Sequence, residues 1–68
     1  MWNATKNPCE VSWTHSTKNI TIELINDCGE EYEVLLLDEN DEEIDTLSDG
    51  LNFNESLQIA RDYMKTNK

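Results

Sequence analysis

Ile20, Ile22 and Leu24 recur at every second position, with Thr21 and Glu23 between them. A period of two belongs to a strand with one buried face, and it predicts a strand over about 20–27. Tyr32, Val34 and Leu36 repeat the pattern, while Leu35 and Leu37 fill the alternate positions. A segment apolar on both sides reads as a central strand, over about 31–38. Val11 and Trp13, set against Ser12 and Thr14, give a strand over about 10–15. A weaker one follows over about 43–47. The connections carry turn chemistry, with a polar run at 16–19, Gly29 within a short hairpin loop and a second polar run at 39–42.

Ser48-Asp49-Gly50 reads as the end of the sheet, and the period then changes. Phe53, Leu57, Ala60 and Met64 are spaced four, three and four apart, which is one stripe of a helix over about 53–66. Asn52 with Glu55 three residues later fits a capping box at its start. Arg61, Lys65 and Lys68 complement the negative end of the helix dipole. Residues 1–9 show no such period and read as a loose lead-in, with Asn7-Pro8 as a turn signal.

The predicted fold is α+β: an antiparallel meander of three to four strands with one C-terminal helix packed on one face, a single domain over 10–66. Val11, Trp13, Ile22, Leu24, Val34 and Leu36 would form the inner face. The first hairpin should pair residues whose numbers sum to about 35, and Ile25 should sit beside Glu33. Ile44 and Leu47 have opposite parity, so the last strand needs a bulge or a twist to bring both inward. On the face away from the helix, Ile25, Leu35 and Leu37 would stand near solvent. They are the candidate interface, closed by a second copy of the chain or by the N-terminal segment folding back with Trp2.

Charge changes the picture. The 68 residues hold 15 Asp and Glu against 5 Lys and Arg, a net charge of -10. Thirteen of the acids fall between Asn19 and Ala60, where there is no Lys or Arg. Such a field repels phosphate and anionic lipid, which argues against nucleic-acid and membrane partners. Two explanations of the acidity are open. One is adaptation to molar salt, where repulsion is screened within about 3 Å. The other is a viral or mobile-element inhibitor that mimics nucleic acid. Acids spread over turns and strands favour the first.

Candidate chemistry is sparse. From Asp38 the run to Glu43 places oxygens at calcium-loop positions one, three and five, but Glu43 stands where such a loop needs Gly and Asp49 where it needs Glu. A solvated acidic turn is the better reading, and no metal or cofactor is expected. His15, beside Ser16 and two residues from Trp13, has no marked acid or oxyanion hole to make a triad. It reads as a strand-end histidine. No catalytic residue is assigned, so an enzyme is not expected. Cys9 and Cys28 have neither CxxC nor zinc spacing. The opening residues lack the layout of a secretory signal, which predicts a cytoplasmic protein with two reduced thiols. The sequons at Asn3, Asn19 and Asn54 are then unused.

Trp13-x-His15 leading into Ile20-Thr21-Ile22-Glu23-Leu24, the hairpin into Leu36, Leu47-Ser48-Asp49-Gly50-Leu51 and a helix with Ala60 and Tyr63-Met64 together resemble small uncharacterised acidic proteins of haloarchaea. The resemblance spans about residues 11–66 and implies no activity or catalytic residue. Eight Asn and four Lys imply an AT-rich halophile or its virus. A weaker likeness is to HicB-type antitoxins, which also run a hairpin into an alanine-bearing helix, though this chain lacks their second, DNA-binding segment. The expected function is non-enzymatic: a protein partner, or a homodimer.

Overall fold

Alternation places the strands, and a computed structural model shows how they join. It describes residues 1–7, 10–29 and 31–68, with side chains excepted at positions 6, 7, 10, 27 and 28. The strands are β1 (Trp2–Asn7), β2 (Glu10–His15), β3 (Thr21–Cys28), β4 (Glu31–Leu37) and β5 (Glu43–Leu51), followed by the helix α1 (Phe53–Thr66). They form one five-stranded antiparallel sheet in sequence order, β1-β2-β3-β4-β5. The α+β meander with one C-terminal helix is therefore present, with five strands rather than three to four.

The added strand is β1, in the segment read as a loose lead-in. It pairs with β2 without a register shift, from Trp2 opposite His15 to Asn7 opposite Glu10. Its alternation is thin, Trp2 and Ala4 against Asn3 and Thr5. What secures it is tertiary: the Trp2 ring meets the His15 ring edge-on at 4.9 Å and the Tyr63 ring at 6.3 Å. The indole N–H also donates to the Asn67 carbonyl at 3.1 Å.

β2 and β3 pair in the register anticipated, with Val11 opposite Leu24 and Trp13 opposite Ile22. β3 and β4 put Ile22 opposite Leu36, Leu24 opposite Val34 and Ile25 opposite Glu33. The turn residues take the backbone their chemistry allows: Asn19 and Gly29 both have positive φ, 55° and 63°. Cys9 lies outside the described residues, as does the Cys28 side chain, so the thiol expectation falls there.

β5 departs from expectation at its far end. It runs on through Ser48, Asp49 and Gly50 to Leu51, where a break was expected. Three register shifts against β4 absorb the misfit, and Gly50 takes φ 76°. The parity conflict is settled by sacrifice: Leu47 packs against the core and Ile44 stays 55% exposed.

Ile22, Leu24, Val34, Leu36 and Ala60 form the core between the sheet and α1. Asn52 caps the helix, its side-chain oxygen accepting the Glu55 N–H at 2.8 Å. The expected apolar stripe holds at Leu57, Ala60 and Met64, widens to take in Ser56 and Tyr63, and leaves Phe53 outside. Ser56 and Ala60, one turn apart, are fully buried, with Leu57, Tyr63 and Met64 packed around them. Phe53 sits at the margin, 40% exposed, its ring 5.4 Å from that of Tyr32. Small side chains let the helix backbone approach the strands closely, which a bulky residue at either position would prevent. Among the described residues no helix is long and apolar enough to cross a membrane.

Candidate functional site

Strand parity fixes where each expected interface residue goes. Val34 and Leu36 face α1, so Leu35 and Leu37 point to the opposite side of the sheet, and Ile25 joins them across from Glu33. The structure thus brings the three onto one face. It does not leave all three near solvent. Leu35 is 9% exposed and Leu37 6%, while Ile25 is half-buried. Leu35 lies between Glu23 and Thr46, and Leu37 between Thr21 and Glu43. In a central strand such flanking side chains stand close enough to cover an aliphatic group without any second layer. Nor does Trp2 fold back over this face; it lies on the helix side with His15 and Tyr63.

The two outer edges of the sheet are unlike each other. β5 carries Glu43, Asp45 and Asp49, all exposed, and its ladder is broken by three register shifts. With Asp38, Glu39, Asp41 and Glu42 in the preceding turn, it forms an acidic border. The turn itself is held by Asp38, whose Oδ1 accepts the N–H groups of Asn40 at 2.8 Å and Glu42 at 3.0 Å. That carboxylate oxygen serves the backbone, as in an Asx turn. Among the described residues no cluster of three His, Cys, Asp or Glu side chains could hold a metal.

β1 is the opposite case. It contains no acid, its one charged residue is Lys6, and its register with β2 is unbroken. Its hydrogen-bond phase follows from two bonds: the Ser16 N–H donates to the Met1 carbonyl at 2.9 Å, and the His15 N–H to the Ile20 carbonyl at 3.0 Å. Antiparallel residues alternate between bonding one neighbour and the other. Asn3 and Thr5 therefore bond inward to β2, while Trp2, Ala4 and Lys6 direct their N–H and C=O groups outward. Asn3, Ala4 and Thr5 have exposed side chains. Among the described residues no further strand pairs with β1, so it is the regular outer edge of the sheet, and no pattern in the sequence marks it because the strand itself has no clear alternation.

His15 is 4% exposed and fully engaged. Its Nδ1 accepts the backbone N–H groups of Thr17 and Lys18, both at 3.1 Å. Nε2 lies 2.9 Å from the Lys68 main-chain oxygen and 3.3 Å from the Met1 ammonium nitrogen; with Nδ1 accepting, Nε2 carries the proton and donates to the closer Lys68 oxygen. Both ring nitrogens hold main chain in place. A depression of about 420 Å³ is lined by Gly29, Tyr32, Asn52, Phe53 and Asn54. Its Asn52 oxygen is the helix cap already described.

No known protein family, curated protein or solved structure matches the chain.

Proposed function

We propose that this chain is a non-enzymatic interaction domain that works by protein contact, in a milieu of concentrated salt. The observation that supports it best is the edge strand β1, an unbroken, acid-free strand on a molecule of net charge -10. Natural sheets guard their edges with bulges and charge, as β5 does; β1 has no bulge and no acid, only the single charge of Lys6, and such an edge offers main-chain hydrogen bonds to a partner. The salt reading rests on the thirteen acids without a base between Asn19 and Ala60, and agrees with the resemblance to haloarchaeal proteins.

The test is capture in molar KCl by three immobilised baits: the native chain, Ala4→Pro and Leu35→Ser. Proline at Ala4 removes an outward N–H while leaving the bonds to β2 intact, a substitution edge strands accept. The reading expects a partner held by the native chain and by Leu35→Ser, and lost on Ala4→Pro. Equal capture by all three, or by none, would sink it.

A second reading, inhibition by mimicry of nucleic acid, is favoured by one feature: the acids of the β4–β5 turn and of β5 gather along a single border. A partner lost on Asp45→Asn with Asp49→Asn, and kept on Ala4→Pro, would support it instead.

A further inference from the structure

The partner that fits β1 is defined by chemistry already described. It must be a strand, because the edge offers alternating N–H and C=O groups and little apolar surface. It must tolerate a strongly negative neighbour, so an acidic strand is excluded. β5 of another copy fails on both counts, through its acids and its broken register. β1 of another copy is itself a strand without an acid, and the net charge of -10 on each copy is screened within about 3 Å in molar salt.

We infer that the occupant of the β1 edge is β1 of a second copy, paired antiparallel about a twofold axis that passes beside Ala4; this rests on the reading of β1 as a contact edge. The hydrogen-bond phase selects the register. Outward-facing residues must oppose one another, so Ala4 meets Ala4 and Trp2 meets Lys6, from each side of the axis. Three residues per copy, each with one N–H and one C=O, give about six inter-chain hydrogen bonds. Asn3 falls opposite Thr5 on the remaining pairs. Lys6 is never opposite its own copy, and no acid enters the contact. The two five-stranded sheets become one continuous sheet of ten strands. An isologous contact of this kind is closed by its own symmetry.

The purified native chain in about 2 M KCl tests this by sedimentation between about 1 and 300 µM, a range suited to a small, transient interface. The pairing predicts a monomer that becomes a dimer as concentration rises. Hydrogen exchange over the same range should show protection gained at the amides of Trp2, Ala4 and Lys6, and none gained at Asn3 and Thr5, which already bond to β2. Ala4→Pro should weaken association at least tenfold. Ala4→Glu, which sets two carboxylates beside the axis, is the second variant should the proline disturb folding, and it should dissociate the dimer further as salt is lowered. A monomer at 300 µM overturns the inference. If that monomer still captures a foreign partner lost on Ala4→Pro, the wider reading of β1 stands without it. A dimer that gains no protection at those three amides, or ignores both variants, also overturns it and moves self-association to another surface.

Discussion

The His15 imidazole and the Lys68 main chain, fifty-three residues apart in sequence, lie within hydrogen-bond distance, Nε2 to carbonyl oxygen 2.9 Å. With Nδ1 occupied by the Thr17 and Lys18 amides, the ring ties the residues after the helix to the β2–β3 turn. His15→Ala leaves two amides without their acceptor beside an emptied site, and the expected loss is about 2–3 kcal/mol in urea unfolding. Nitrogen shifts of the ring should report the Nε2–H tautomer. A ring protonated at Nδ1 instead would contradict the hydrogen-bond assignment.

Ala60 and Ser56 set how near the helix lies to the sheet. Ala60→Leu adds bulk at a fully buried position and should cost about 2–3 kcal/mol, whereas Ser56→Ala should stay within about 1 kcal/mol, because the Ser56 hydroxyl reaches the Leu51 carbonyl only at 3.5 Å. Chemical denaturation of the two variants checks the contrast. Equal losses would mean that the helix rides more loosely than described.

Leu35 and Ile25 share a face but not an environment. Leu35→Ser puts a hydroxyl in a buried central position and should destabilise by about 2–4 kcal/mol; Ile25→Ser, half-buried, should lose about half as much. Neither should change the mass seen by sedimentation, provided the fold survives. A shift to monomer in Ile25→Ser alone would return the interface to the open face.

Salt should strengthen the fold. Screening of the acids between Asn19 and Ala60, with salting-out of apolar surface, should raise the thermal midpoint by about 10 °C or more between 0.1 and 2 M KCl. A midpoint that does not move removes the ground for the halophilic reading.

The hairpin registers of β2, β3 and β4 were legible because Ile22, Leu24, Val34 and Leu36 admit one pairing that buries them all. β1 was not, since two Asn and a single large apolar residue give no local strand preference; Trp2 takes its place by meeting His15 and Tyr63, contacts invisible along the chain. Ser48-Asp49-Gly50 looked like a terminator because a bulge and a turn use the same residues, and only the β4 ladder distinguishes them. For the candidate site, parity put Ile25, Leu35 and Leu37 on one face correctly. The burial of Leu35 and Leu37 was beyond reach, because it depends on the neighbours that register sets beside them, Glu23 and Thr46 for Leu35 and Thr21 and Glu43 for Leu37. The β1 edge was hidden along with its strand.

The irregular course of β5 has a consequence for solubility at high protein concentration. A sheet with two clean edges can add copies without limit, and such growth ends in fibres. Here the second edge is bent three times out of register and lined with Glu43, Asp45 and Asp49, so it offers an incoming strand neither a matching ladder nor a neutral surface. Copies paired through β1 as proposed would present only β5 edges to the solvent, and polymer growth would have no end on which to continue. In a dimer paired through β1, the bulges that spoil β5 as a strand would act as chain terminators.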